Sequence, residues 1–383
     1  MTLRMEAVAG QLAPVITAYR EGLASMEAGI QEARSALGQW AADAGVGDMA
    51  IRAAMADSAR PYALSFGEPP GLSLPAPPFS PATVVAADGS SIEPDRFGPV
   101  QCFVVNIGVA VLPYGVTGDA VLESKPMVGP QASFSDEGED RGRDETAPSG
   151  WGVSLQRDAR ELFTGATLAQ ERTAHGPVVL LVDGTLLPWD LDSPQVAPAV
   201  RQQAESITRE ALALIQNCGQ PLSVGAYISG SRSSDVVVSL GALHQGGAGH
   251  WPPCDAVLFA RLLAEGHRSA IFRSCSQRLV RIEERLKQEV CFFYLRIGDD
   301  LARVELPGWA ASPAQVGRLH ATIVDQCSRA GGYPRALQEA HEQAVISGAD
   351  RLQFSRLLEN ESARHGLRAM AGGKQMSKRR RAV

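Results

Sequence analysis

Two apolar runs in this chain stop at the same dipeptide: VVAADGSS carries Asp88 and Gly89, and VVLLVDGTLL carries Asp183 and Gly184. Both carboxylates follow stretches with almost no charge, which read as buried β-strands ending at an aspartate. A carboxylate at such a place is costly unless it is paired or bound to a cation, and adjacent strand ends can bring two of them to one site. The glycine lets another group come close. Asp-Gly is also a common turn dipeptide, so either motif alone is equally well read as a turn. Their recurrence in the same context is what favours a shared site.

The surroundings indicate an α/β chain. HGPVVLLVDGT, the amphipathic QVAPAVRQQAESITREALALIQ and LSVGAYIS alternate strand, helix and strand. QCFVVNIGVAVL reads as another strand, with a third edge expected near Tyr114. RLVRIEERLKQEVCFFYLRI runs from helix into strand and meets LARVELP across a GDD hairpin turn. Paired glycines after VGRLHATIVDQCSRA suit a helix stop, and Pro334 suits the restart at YPRALQEAHEQAVIS.

The expected organisation is a helical region over 1–66, a proline-rich extended linker over 67–81, a main domain over 82–366 and a basic tail over 367–383. Residues 135–150 are polar and acidic and read as an exposed insertion whose carboxylates are not ligands. The longest apolar stretch, CFVVNIGVAVL, contains Asn106 and is too short for a membrane span, and the first residues lack a secretion pattern. A cytoplasmic protein with no membrane association is therefore expected. The six cysteines form no C-x-x-C pair and read as free thiols, mostly in core elements. With a formal charge of -6, bulk charge gives no nucleic-acid footprint, so DNA binding would need a local patch.

Four blocks resemble the NurA family in order. They are VVAADGSSIEPDRFGPVQCFVVNIGVAVLPYG, VVLLVDGTLL, DAVLFARLLAEGHRSAIFRS and GYPRALQEAHEQAVISGADRLQF. The resemblance implies an α/β fold with an RNase H-like mixed sheet flanked by helices, preceded by the N-terminal helical region. It also implies a DNA nuclease, a 5′–3′ exonuclease with an endonuclease activity as a further option, using Mn²⁺ or Mg²⁺ as a pair of ions. Such a chain would act in DNA end processing or repair, as a homodimer docked on a HerA-type hexameric ATPase.

By the same resemblance Asp88 is the bridging metal ligand and Asp183 the second. A third carboxylate is expected from the helix between them, where LQRDARELFTGATLAQERTAHG offers Glu161 and Glu171. Glu161 is favoured because Arg157 and Glu161 together resemble the family's helix. Tyr333 and His341 match the family's C-terminal aromatic and metal-site positions. Asp255 resembles a position in the third block, but a helix N-cap explains it equally well.

Rival readings are weaker. His244, His250, Cys254 and His267 fit no common zinc spacing. No G-x-x-x-x-G-K-[ST] or G-x-S-x-G occurs, so ATP-driven motion would need a partner. A non-catalytic adaptor for a translocase or a DNA end is the alternative from another class. An RNase H-like enzyme acting on RNA or branched DNA is a third.

Overall fold

The structure is a computed structural model that describes residues 4–95, 98–130, 150–244 and 251–367. The acidic insertion, apart from Gly150, and the basic tail after Leu367 lie outside the described residues, as does His250. The chain divides into two compact units, one formed by 1–76, 228–280 and 289–308, the other by 77–227, 281–288 and 309–383.

The first unit opens with α1 (Met5–Ala42) and α2 (Ala44–Met55), the helices expected at the N-terminus. The proline-rich segment, expected to be extended throughout, instead bends and turns over 67–71, where Leu72 N donates to Pro69 O, and is paired beyond that. Its strand β2 (Ser73–Pro75) runs antiparallel to β8 (His267–Ser269). β1 (Tyr62–Ser65) pairs with β9 (Phe272–Cys275), β9 with β10 (Val290–Ile297), and β10 with β11 (Asp300–Pro307), all antiparallel. Gly298, at φ 56°, supplies the left-handed residue that the two-residue turn between β10 and β11 requires. Two short helices, α5 (Asp235–Leu243) and α6 (Asp255–Leu262), join α1 and α2 around a core that includes Trp40, Phe259, Phe272, Phe292 and Tyr294. The β-branched run in DVVVSLGAL forms helix α5 because burial on every side overrides local propensity.

The second unit holds the mixed sheet. β3 (Ala82–Ile92), β4 (Cys102–Tyr114) and β5 (Val121–Pro130) are antiparallel neighbours; β6 (Val178–Asp183) lies parallel to β3, and β7 (Leu222–Ile228) parallel to β6. The order β7-β6-β3-β4-β5 is the RNase H-like mixed sheet expected, and β5 is the edge anticipated beyond Tyr114. Helices α3 (Gly150–Arg172) and α4 (Pro198–Cys218) form one layer. The short helix α7 (Gln277–Leu286) begins in the first unit's span and ends in the second's. Helices α8 (Pro313–Arg329), α9 (Arg335–Ala344) and α10 (Gly348–Arg364) complete the chain, with Gly331 and Gly332 at positive φ between α8 and α9. Among the described residues no helix is long and apolar enough to cross a membrane. All six cysteines are free thiols.

Candidate metal centre on the mixed sheet

Asp183 is the last residue of β6, as its sequence suggests, and Gly184 follows at φ 79° to turn the chain away. Asp88 differs from expectation. It sits inside β3, not at a strand end, because the antiparallel pairing with β4 continues through Asp88↔Gly108 to Ile92↔Val104. Only the parallel pairing with β6 stops short, at Ala87↔Val182. Asp88 thus stands where β3 loses one neighbour and keeps the other, which places its carboxylate near that of Asp183.

The third carboxylate comes from α3. Glu161 is buried and lines the same cleft of about 540 Å³ as Asp88, Asp183 and His341, whereas Glu171 is exposed near the end of the helix and does not line it. Burial pushes the Glu161 carboxyl well above its ordinary range, and the charges of Asp88, Asp158 and Asp183 push the same way against Arg157. Burial also raises Asp183; Asp88 adds to this, while a hydrogen bond from Tyr333 opposes it. Carboxylates that hold protons this way are carboxylates short of positive charge.

Helix α9 delivers His341 by an unusually close approach. A Cβ at Gly108 would overlap the backbone of Ala340 and Ala344, so the helix rests directly on β4 opposite Asp88. Asn106 Nδ2 donates to the carbonyls of Ala344 (3.0 Å) and Gln343 (3.2 Å), and the Ser90 hydroxyl also donates to Ala344. These bonds satisfy end-of-helix carbonyls and fix where α9 stops. The polar interruption in an apolar strand is therefore an anchor. His341, itself largely exposed, pairs through Nδ1 with Asp88 Oδ2 at 2.6 Å. Tyr333 donates to Asp183 and packs edge-on against Tyr227, with ring centroids 5.5 Å apart. Burial, then Asp183, pushes the Tyr333 phenol up, so it stays a donor.

Two further charged residues line the cleft among those described. Arg157 Nε and Nη2 donate to Asp158 Oδ1 at 3.0 and 2.8 Å. A Cβ at Gly89 would come within 2.6 Å of Arg157 Cγ, so the glycine after Asp88 admits a side chain of the protein. Asp158 did not stand out in the sequence, although it precedes Glu161 by three residues and so shares its helix face. Asp255, by contrast, is absent from the cleft. It is buried in the first unit, where its carboxylate accepts from Val236 N (3.1 Å) and Val237 N (2.8 Å) and caps α5 instead of its own helix. Of the residues weighed for zinc, His244 packs edge-on against Trp251 and His267 Nδ1 bonds Ser73.

Asp88, Glu161, Asp183 and His341 form the hard oxygen and imidazole donor set that Mg²⁺ or Mn²⁺ accepts. Among the described residues, no three acidic, histidine or cysteine side chains already surround one point as ligands. The carboxylates are instead turned to protein partners: Asp88 to His341, Asp183 to Tyr333 and Asp158 to Arg157. The donors fit a divalent ion in kind and in charge deficit.

No curated protein matches the sequence. The crystal structure of the NurA nuclease from Sulfolobus solfataricus is similar in fold, with a TM-score of 0.56 over 95% of this chain and 98% of that one at 15% identity. The model of the NurA domain matches residues 82–346, which span every cleft residue from Asp88 to His341 and most of the chain, so the chain belongs to the NurA family.

Proposed function

We propose that this protein is a divalent-metal-dependent DNA nuclease whose centre is Asp88, Glu161, Asp183 and His341. The observation that carries the reading is three carboxylates from β3, α3 and β6 converging with an α9 histidine in one open cleft, two of them raised by burial and mutual charge. Membership of the NurA family and the fold shared with a NurA nuclease support it.

Bound divalent ions would supply water activation and neutralise charge at the phosphate. In hydrolysis the water oxygen bonds to phosphorus, one P–O bond breaks, and a proton ends on the departing oxygen. Asp88 and Asp183 would hold the ions from the neighbouring strands β3 and β6. Glu161 would offer a third carboxylate from its buried position on α3. Tyr333 orients Asp183 by its hydrogen bond, and the Asp88 bond orients the ring of His341.

A cytoplasmic enzyme of 5′–3′ polarity, working in end processing or repair as a homodimer on a HerA-type ATPase, is the fuller form of this reading, and the family supports it. Its domain layout would follow the boundaries at 66, 81 and 366. Purified protein incubated with labelled DNA and RNA in Mn²⁺, Mg²⁺ or EDTA tests it. Metal-dependent release of nucleotides from DNA is expected. A folded protein inert on both substrates with either ion would leave the adaptor reading standing.

A further inference from the structure

Among the described residues, one arginine lines this cleft, and it stands among the carboxylates. Arg157 belongs to α3, one turn before Glu161, and its stem lies across Gly89, where no side chain could fit. Its side chain is 30% exposed, and its guanidinium uses Nε and Nη2 on a single oxygen of Asp158. Burial works against its charge, but Asp158, Glu161 and Asp88 together outweigh that and hold it firmly protonated. A structural ion pair would need only Asp158. The wider arrangement puts a fixed positive charge into the electrostatic field of Asp88 and Glu161, the residues a divalent ion would share.

We propose that Arg157 is the internal counter-cation of the metal-free centre, competing with the divalent ion for the carboxylates and turning to a phosphate oxygen of the DNA strand once the ion is bound. The inference rests on the metal-nuclease reading above. It follows from three constraints. The carboxylates need positive charge; a planar fork on a flexible stem can exchange a carboxylate for a phosphate of similar geometry; and the donors have protein partners instead of a preformed cage. Asp158 is then a tether that keeps the guanidinium at the rim in both states.

The competition has a sign that a structural role does not share. If Arg157 only braced α3, or if it pre-arranged the ligands, its loss would leave Mn²⁺ affinity unchanged or weaker. If it competes, its loss makes the ion bind more tightly. Arg157→Met keeps most of the stem that packs on Gly89 and removes the charge; Arg157→Gln is a second neutral variant, and Arg157→Lys keeps the charge without the fork.

Mn²⁺ affinity in the absence of DNA would be read from the dependence of thermal stabilisation on ion concentration, each protein against its own EDTA melt. The neutral variants should bind Mn²⁺ on the order of tenfold more tightly than wild type, as loss of a neighbouring like charge predicts, and Arg157→Lys should stay near wild type. At saturating Mn²⁺ the neutral variants should show a raised KM for DNA and a salt dependence of KM shallower by about one phosphate contact. Neutral variants that bind Mn²⁺ no better than wild type would overturn the competition, and an unchanged KM and salt slope would overturn the phosphate contact. Wild-type protein that gains no stability from Mn²⁺ or Mg²⁺ would instead sink the metal-nuclease reading itself.

Discussion

The two units each gather acidic side chains, and they treat them in opposite ways. In the first unit Asp235, Asp255 and Glu305 are sealed in the core with Arg303, which reaches Asp235 at 3.2 Å and Glu305 at 2.9 Å and lies 3.6 Å from the centroid of Phe292. Ser274 donates to Asp235, Tyr294 donates to Asp255, and two backbone N–H groups of α5 also point at Asp255. Burial acts against the Arg303 charge, yet Asp235 and Glu305 outweigh it and hold the guanidinium protonated. In the second unit the cleft carboxylates face solvent on one side, and their one arginine is partly exposed and bound to Asp158. A sealed acidic cluster must contain its own compensation. An open one in which a single arginine offsets several carboxylates is only partly compensated, and is suited to take a further cation from outside.

The largest expected effect lies in the cleft. Asp88→Asn and Asp183→Asn keep volume and remove charge, so both should fold while nuclease activity falls by several orders of magnitude. Their stabilisation by Mn²⁺, followed by thermal melts, should shrink alongside. Full activity in either folded variant would remove that aspartate from the chemistry and end the comparison.

Next in size is the sealed cluster. Arg303→Met strands Asp235 and Glu305 in the core, and breaking a buried pair from one side costs about 3–5 kcal/mol. Chemical denaturation should register that loss, and Mn²⁺ should not restore it. If Mn²⁺ did rescue this variant, the first unit's cluster would be a metal site too.

A smaller effect is expected where the cleft is assembled. Gly108→Ala sets a Cβ against the backbone of α9 and should cost about 1–3 kcal/mol as overpacking, while displacing His341 from Asp88. A crystal structure or the His341 NMR signal would report the shift. An unmoved His341 would mean that α9 is held by other contacts.

How legible these regions were in the sequence follows the same division. Asp183 could be read because a continuous apolar run ended on it, whereas the helix pattern offered Glu161 and Glu171 alike and only the family resemblance of Arg157 and Glu161 favoured the first. The position of Asp88 inside its strand could not, since pairing with β4 continues past the point where β6 leaves off, and register is not written in one strand. The roles of Asn106 and Gly108 were hidden for a related reason: both serve α9, more than 220 residues away, and nothing local marks them. Asp255 carried the signature of an N-cap, but it is the first residue of α6, and its carboxylate instead accepts from N–H groups of α5, a helix that begins 20 residues earlier. Local pattern identified the elements; long-range contacts decided which side chain serves which.

The smallest predicted effect is also the most discriminating. Glu161 has its proton affinity raised, so between its ordinary value of 4.5 and its folded value the native state binds more protons than the unfolded chain. Its contribution to stability is therefore fully present below pH 4.5 and is lost as pH rises through the folded value. Asp255, pushed from 3.8 up to about 7 by burial and by Asp235, gives a slope of the same sign in the first unit, so the wild-type pH profile alone cannot separate the two. Glu161→Gln can. Gln copies the neutral acid in size and carries no charge at any pH, so in EDTA the variant and wild type should melt together near pH 4.5. Toward pH 8 the variant should become the more stable protein, by on the order of 1 kcal/mol or about 2–4 °C. Saturating Mn²⁺ should reverse the order, because the ion rewards the wild-type carboxylate and leaves the Asp255 slope untouched. If Glu161 is instead governed by its attraction to Arg157, the variant will be the less stable protein at pH 8 in EDTA, and the cleft will have proved as self-compensated as the core.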